Sequence, residues 1–252
     1  MTLILFLVLV VVMIAINAKT IKNSMQICKG DCIFSKILNE KRKLWVYIPK
    51  PTEGQEAGQQ RYPVIYLLDA EEHFRNFTEM IQQVDPVDGS RLFPDMIVIG
   101  IPNTKRSRDL TPTHFMYGSN GNKDRDFRLS GGGEKFIEFI EKELIPYVDA
   151  TYPTTSYKAL TGHSLGGLTV INILLNHTEL FDGYIASDPS MWWDNKLMLI
   201  KAQDTLKQQR FDGRTLFMSI ANDMLKGMSP EQIRADTTPK TNHIRCIFEL
   251  AG

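Results

Sequence analysis

The sequence predicts an α/β fold in which a mostly parallel central sheet carries helices on both faces. Short apolar runs rich in β-branched and aromatic residues recur along the chain, as in strands buried within a sheet. In the second half of the chain these runs alternate with segments of helical length, and this alternation implies right-handed crossovers between parallel strands. The chain has 252 residues, a length that fits one such domain.

The predicted elements follow one another with short connections. The first three strands, at 44–48, 63–68 and 96–101, read LWVYI, PVIYLL and MIVIGI. Downstream come helix 133–148, strand 157–160, helix 165–177, strand 183–186, helix 195–209 and strand 215–220. Ligand sites in such sheets lie at the carboxyl ends of the strands, so chemistry is expected there.

The composition is typical of a soluble globular domain. Hydrophobic residues make up 43% and charged residues 23%, and the 29 basic residues balance the 29 acidic ones. Without a basic excess, neither nucleic acid nor an anionic membrane surface is an expected partner.

The N-terminal segment predicts export. Residues 3–16 are an uninterrupted run of fourteen apolar residues, which is short for a membrane span but fits the apolar core of a secretory signal. A small residue, Ala18, stands where cleavage is expected. Residues 1–18 are therefore predicted to be a signal peptide, or alternatively an uncleaved anchor, and residues 19–252 the domain. The expected location is secreted or periplasmic, or attached to a membrane by the anchor.

The cysteines do not predict a metal site. Cys28 and Cys32 lie in the segment CKGDC, and Cys246 is remote from them. The close pair could form a disulfide or remain as two free thiols. No second ligand pair and no histidine accompanies the pair in sequence, so no metal is predicted.

A G-x-S-x-G pattern, GHSLGG, lies between the predicted strand 157–160 and the predicted helix 165–177. In this context the turn is so sharp that the serine hydroxyl is exposed, and the glycines remove side chains that would collide with the strand and the helix. Ser164 is the predicted nucleophile. The Leu165 N–H and the helix dipole are predicted to stabilise an oxyanion. A glycine-rich helix start without chemistry is the alternative.

Several segments together resemble a known family. They are GHSLGG, YPVIYLLDAEEHF, GIPNTKRSRDLTPT, GGGEKFIEFIEKELIPYVDATYP and DPSMWW, and they are similar to the esterase branch of the α/β-hydrolases that includes esterase D and the siderophore (enterochelin-type) esterases. The resemblance covers roughly Ser35 to Gly252. It implies an α/β-hydrolase fold and hydrolysis of a small-molecule carboxylic ester through an acyl-Ser164 intermediate, without a cofactor.

The remaining catalytic groups are expected at strand ends. The loop after strand 63–68 should supply a second oxyanion donor, the backbone N–H of Ala70 or Glu71. The acid of the triad should follow a strand beyond the nucleophile, which makes Asp223 the candidate and Asp188 the second choice. Asp223 could instead serve only to cap the next segment.

The general base is the missing part of this prediction. His177 ends the helix behind the nucleophile and points away from it, so His243 is the remaining histidine after Ser164. Its surroundings, TNHIRCIFELAG, predict a helix with apolar residues on one face. The resembled family carries its catalytic histidine in a loop after one further strand, so the domain is expected to be incomplete at its C-terminus. Three interpretations are possible. The chain is a fragment of a longer esterase, it is a pseudoenzyme, or it uses His243 as the base in an unusual arrangement.

The substrate pocket has two candidate sets of residues. Trp192 and Trp193 could wall an acyl or aryl group, or could pack in the core. Arg106 or Arg108 could pair with an anionic substrate, or could lie in a solvated loop. Two other functions use the same scaffold: a non-catalytic binding protein, and an acyltransferase that passes the acyl group to another alcohol.

Overall fold

The computed structural model describes residues 28–50, 60–83, 89–90, 92–220 and 227–251. These residues form one seven-stranded sheet in the order β1-β2-β4-β3-β5-β6-β7. The strands are β1 Cys28–Ser35, β2 Glu40–Tyr47, β3 Tyr62–Leu68, β4 Ile97–Ile101, β5 Thr154–His163, β6 Gly183–Ser187 and β7 Thr215–Ser219. The pairs β1-β2 and β2-β4 are antiparallel and all the others are parallel, which confirms the predicted sheet.

The helices connect the parallel strands. They are α1 Ala70–Ile81, α2 Arg106–Asp109, α3 Gly133–Phe139, α4 Ile145–Thr151, α5 Leu165–Asn176, α6 Trp193–Gln208, α7 Pro230–Ala235 and α8 Asn242–Ala251. A π-helical turn, Ile140–Leu144, joins α3 to α4, so the predicted helix 133–148 is present but contains a locally wider turn. Among the described residues, no helix is both long and apolar enough to cross a membrane. The predicted leader, residues 1–18, lies outside them.

Strand β1 was not predicted, because CKGDCIFS shows no clear alternation of apolar and polar residues. Its pairing with β2 holds it in place, and the Asp31 carboxylate accepts hydrogen bonds from Tyr147 and Tyr152, each at 2.6 Å. Cys28 and Cys32 lie four residues apart on this extended strand, about 13 Å at the usual rise, which is too far for a disulfide. Cys32 is an exposed free thiol, so the disulfide alternative is wrong.

The helix that follows Ser164, α5, is the centre of the core. Eleven consecutive residues of α5, from Leu165 to Leu175, are buried. A helix that is apolar on all sides is enclosed on all sides, here by β5, β6 and α6. Packing along the whole length of α5 therefore holds its first turn in place.

A cluster of charged side chains fixes the loop after β4. Arg42 is 1% exposed and donates to Asp109, whose side chain is fully buried, at 2.6 Å. Arg108 donates to Asp109 and to Glu40, each at 2.6 Å. The hydrogen bond from Arg108, aided by Arg42, lowers the pKa of Glu40 to about 2. The guanidinium of Arg42 also lies 5.3 Å from the ring centroid of Phe136, so this cation is held by charge and by an aromatic face.

One face of the sheet is covered by α1 over β2, β3 and β4. Beyond α1, the described residues leave an open apolar cavity of about 700 Å³. Among the residues that line it are Ile65, Leu67, Ile185 and Phe217, all on the same side of the sheet because strand side chains alternate. Phe217, on the edge strand β7, is 60% exposed.

We expect this open face to bind a hydrophobic dye. In titrations with anilinonaphthalene sulfonate, Phe217→Gln should lower the fluorescence of bound dye by about twofold or more, because it removes a large part of the apolar surface. Phe34→Gln is the matched control, since Phe34 is equally exposed but lies on β1 at the opposite edge. Equal losses in the two variants would contradict an accessible cavity beside α1.

Candidate active site

Ser164 occupies the sharp turn between β5 and α5. Its backbone has φ 57° and ψ −114°, a conformation that residues other than glycine rarely adopt. A Cβ on Gly162 would lie 2.5 Å from the backbone carbon of Gly166, so only glycine lets the chain turn this tightly. Ser164 is half-buried. The elbow predicted from GHSLGG is confirmed.

The loop between β6 and α6 holds this turn from both sides. The Ser164 N–H donates to the Ser187 carbonyl at 3.0 Å, and the Ser190 N–H donates to the Ser164 carbonyl at 3.1 Å. A Cβ on Gly167 would lie 2.9 Å from the Cα of Pro189, so the loop and the helix start are in direct contact. The strained serine is thus fixed by its neighbours.

Two helix N-termini meet at this point. Strands β3 and β5 are parallel neighbours, so α1 starts at Ala70 beside the start of α5 at Leu165. A Cβ on Gly166 would lie 3.2 Å from Asp69 Oδ2. Neither N-cap residue, Asp69 or Ser164, caps its helix with its side chain. The first N–H groups, including those of Leu165, Ala70 and Glu71, have no partner within their helices and can stabilise a negatively charged oxygen.

Asp69 anchors the second of these N-termini. The residue is 1% exposed and left-handed, with φ 52°. Its carboxylate accepts from Arg106 Nε at 2.7 Å and Nη2 at 2.9 Å, and from Asn103 Nδ2 at 2.6 Å. Arg106 pairs with Asp69, and Arg108 pairs with Glu40 and Asp109, so ion pairs within the protein hold both arginines. The pairing of either arginine with an anionic substrate stays a prediction.

The predicted acid and base have different outcomes. Asp223 lies outside the described residues. His243 lies in α8, as the predicted helix requires, and is 8% exposed. Its Nε2 is 3.1 Å from Oδ2 of Asp188, the second-choice acid at the end of β6. Nε2 of His177 lies 3.4 Å from Oε2 of Glu134, away from Ser164, as expected for a residue at the far end of α5.

The Ser164 hydroxyl contacts a second serine. Ser164 Oγ lies 3.3 Å from Oγ of Ser190, and Ser190 is 1% exposed. The sequence contained a signal for this residue, because it belongs to the segment DPSMWW, but only the tryptophans of that segment were expected at the site. His73 and His163 also meet beside the elbow, with ring centroids 5.6 Å apart. The described residues contain no cluster of three histidine, cysteine or acidic side chains suited to a metal ion.

The two tryptophans have different surroundings. Trp193 is 1% exposed, and its Nε1 lies 3.2 Å from the Thr113 hydroxyl. It packs in the core, so the prediction that it walls the pocket is wrong. Trp192 is half-buried and lines a cavity of about 590 Å³. Phe115, Tyr117 and Lys196 are among the other residues that line it, so this cavity combines aromatic walls with polar groups.

The fold and the elbow together define the class of protein. A largely parallel sheet with a strained serine between strand and helix, facing two uncapped helix N-termini, is the arrangement of the α/β-hydrolases. Residues 35–219 match the family described as "Putative esterase". The chain belongs to this family, which confirms the resemblance that the motifs indicated.

Curated relatives carry siderophore esterase names. The chain is 37% identical over 176 residues to "Ferri-bacillibactin esterase BesA" of Bacillus subtilis (strain 168), covering 66% of this chain and 60% of the relative. It is 30% identical over 186 residues to "Siderophore enterobactin esterase" of Emericella nidulans, covering 69% and 59%. The chain thus spans about three fifths of the length of these two relatives.

Solved structures show the same fold. An IroE-like serine hydrolase from Shewanella oneidensis superposes with a TM-score of 0.74 at 31% identity, covering 89% of this chain and 69% of that one. The siderophore hydrolase EstA from Aspergillus nidulans gives a TM-score of 0.67 at 23% identity, covering 88% and 78%. The predicted α/β-hydrolase fold is confirmed.

Proposed function

We propose that this chain carries the nucleophile and oxyanion site of a serine hydrolase that cleaves carboxylic esters through an acyl-Ser164 intermediate. The observation that carries the proposal is the Ser164 elbow itself. A strained conformation of this kind persists only where the surrounding structure enforces it, and it commonly marks a functional residue. Here the strain presents a hydroxyl to two helix N-termini, where an attacked carbonyl oxygen would become negatively charged.

The proposed reaction has two steps. Ser164 Oγ bonds to the ester carbonyl carbon and gives its proton to a base, while the N–H groups of Leu165 and of Ala70 or Glu71 stabilise the oxyanion. The alcohol then leaves with a proton, and water releases the acid from Ser164. Asp223 remains the proposed acid. His243 is the candidate base within the chain, although its Nε2 faces Asp188 in this structure.

The proposed substrate is a siderophore-type ester. Two lines of support lead to it: the names of the relatives, and the cavity lined by Trp192. That cavity offers aromatic faces from Phe115, Tyr117 and Trp192, with polar groups from Lys196 and Asn242. Aromatic walls with a few polar groups suit an aryl group that carries hydrogen-bonding substituents.

Labelling with a fluorophosphonate probe tests the proposal whichever ester is the substrate. We expect the folded chain to be labelled, and Ser164→Ala to reduce labelling by at least about 10³-fold, because the attacking oxygen is gone. Ser35→Ala should be labelled normally. Ser35 is also a buried serine, but its hydroxyl bonds to Glu143 away from the elbow.

Two further arms of the experiment address the base and the ester. His243→Gln should slow labelling if His243 is the base, and unchanged labelling would assign the base elsewhere. An excess of a catecholate siderophore triester should protect the wild-type chain from the probe, with weaker protection in Trp192→Ala. Labelling that persists in Ser164→Ala would refute the proposal.

A non-catalytic binding protein is the second candidate function. The observation that favours it is the pairing of His243 with Asp188, while the Ser164 hydroxyl contacts Ser190. This candidate expects a well-folded chain that the probe does not label. It also expects siderophore binding that is indifferent to Ser164→Ala.

We also propose that the protein is exported, as secreted or periplasmic. The support is the apolar run at residues 3–16, followed by Ala18. N-terminal sequencing of the protein recovered outside the cytosol should begin at Lys19. A chain that retains residues 1–18 in the membrane fraction would indicate the anchor instead.

A further inference from the structure

We infer that Ser190 acts directly on the nucleophile, by donating a hydrogen bond from its buried hydroxyl to Ser164 Oγ and stabilising negative charge there as the proton leaves. The inference deepens the proposed function and rests on Ser164 as the nucleophile. It starts from the 3.3 Å separation of the two Oγ atoms. In this contact the Ser190 hydroxyl does not donate to the substrate oxyanion, and it does not belong to an acid-histidine pair.

The direction of the hydrogen bond follows from burial. Ser190 is 1% exposed, and a buried hydroxyl needs an acceptor for its proton. Among the described residues, the hydrogen-bond partner found for this hydroxyl is Ser164 Oγ. Ser164 is half-buried, so its own proton can point toward solvent or a base. Ser190 is therefore the donor, and a serine oxygen can accept this bond while it donates its own proton.

The position of Ser190 is fixed by its backbone. Its N–H donates to the Ser164 carbonyl at 3.1 Å, and its carbonyl accepts from the Trp193 N–H at 3.1 Å. Trp193 is itself buried and its Nε1 contacts the Thr113 hydroxyl. A donor held in this way needs no reorganisation when charge develops on the nucleophile, which is the condition for effective electrostatic stabilisation.

In the reaction, Ser190 acts on a single atom, Ser164 Oγ. During acylation, Ser164 Oγ forms the bond to the carbonyl carbon, and its proton passes to the base. Ser190 keeps its own proton throughout. Its hydrogen bond is strongest when Ser164 Oγ carries negative charge, because bonds to charged acceptors are stronger than neutral ones, and it weakens once that oxygen becomes part of an ester.

A thiol at the position of the nucleophile reports this interaction independently of catalysis. In a Ser164→Cys background, the pH dependence of iodoacetamide alkylation gives the pKa of the introduced thiol. Mass spectrometry of the peptide that contains residue 164 separates it from Cys28, Cys32 and Cys246. Adding Ser190→Ala should raise this pKa by about one unit, since a donor to the thiolate is lost.

Three matched variants separate a direct effect from a structural one. Ser190→Thr retains a hydroxyl and should keep the lower pKa, whereas Ser35→Ala removes a buried serine hydroxyl elsewhere and should change nothing. Ser190→Gly is a second hydroxyl-free variant, for use if circular dichroism shows that Ser190→Ala is not folded. An equal pKa in the parent and in the folded hydroxyl-free variants would overturn the inference.

Probe labelling then distinguishes this inference from the proposed function. With Ser164 in place, Ser190→Ala should slow fluorophosphonate labelling by about tenfold, the change that corresponds to one pKa unit. A wild-type chain that is not labelled would refute the proposed function, and the thiol pKa would still decide the role of Ser190. If the wild-type chain is labelled and the thiol pKa is the same with and without the Ser190 hydroxyl, the role of Ser190 is refuted and the proposed function stands.

Discussion

Replacing Gly162 by alanine is expected to distort the elbow and to remove most of the reactivity of Ser164. The new Cβ would lie 2.5 Å from the carbon and 2.6 Å from the oxygen of the Gly166 backbone. These atoms belong to the first turn of α5, which is buried along its length. Because no side chain can move aside, the strand end or the helix start must shift, at a cost of about 2–3 kcal/mol in the free energy of unfolding.

The same shift should disturb the reaction geometry. A displacement of about 1 Å at a reacting atom can lower a rate by about 10²-fold, so labelling of Ser164 in the Gly162→Ala variant should fall by about that factor. Chemical denaturation measures the loss of stability separately from the loss of labelling. A stable variant that is labelled at the wild-type rate would show that the elbow tolerates a side chain at this position.

Gly30→Ala is the matched control for this experiment. Gly30 also lies in a strand, β1, but nothing comes within 4 Å of its added Cβ. Alanine there should leave labelling unchanged and should leave the stability equal or slightly higher, because the unfolded chain loses conformational freedom. A comparable loss in both variants would point to a general effect of alanine in this sheet.

Asp109→Asn is expected to cause the largest loss of stability among the charge substitutions. The Asp109 side chain is fully buried and accepts hydrogen bonds at 2.6 Å from both Arg42 and Arg108. Arg42, at 1% exposure, cannot turn to water when the charge of its partner is removed. Among the described residues, Arg42 would keep only the partly exposed Glu40, at 3.0 Å, as a carboxylate partner. Breaking its fully buried ion pair with Asp109 is expected to cost about 3–5 kcal/mol, which urea unfolding would measure.

Two comparisons test the reason for this loss. Arg42→Met combined with Asp109→Leu removes both charges and should recover much of the stability, because no unpaired buried charge remains. Glu79→Gln breaks a solvent-exposed ion pair with Arg75 on α1 and should have no measurable effect. A double variant that is less stable than Asp109→Asn would contradict the explanation by an uncompensated charge.

The sequence predicted most elements because each depends on local pattern. Apolar runs identified six of the seven strands, and the run of apolar residues after Ser164 identified α5. Strand β1 escaped prediction because its pairing with β2 and the hydrogen bonds to Asp31 come from distant parts of the chain. Its assignment depends on partners that the local sequence does not show.

In the candidate site, too, the features that are contiguous in sequence were predictable and the contacts between distant segments were not. Ser164 was predictable because the turn, the glycines and the helix that follows are contiguous in sequence. The contact with Ser190, the anchoring of Asp69 by Arg106, and the pairing of His243 with Asp188 all join separate segments. Spacing along the chain carries no information about such pairs.

The sequence by itself determined the class of fold, the sharp turn at Ser164 and the family, since these reside in local periodicity and in contiguous motifs. The tertiary structure decided which polar groups surround Ser164 and which tryptophan is buried. The physical reason is that hydrogen bonds and burial depend on distances between segments that only the packed sheet and its helices bring together. Ser190 lies 26 positions after Ser164, yet the parallel pairing of β5 and β6 places their hydroxyls in contact.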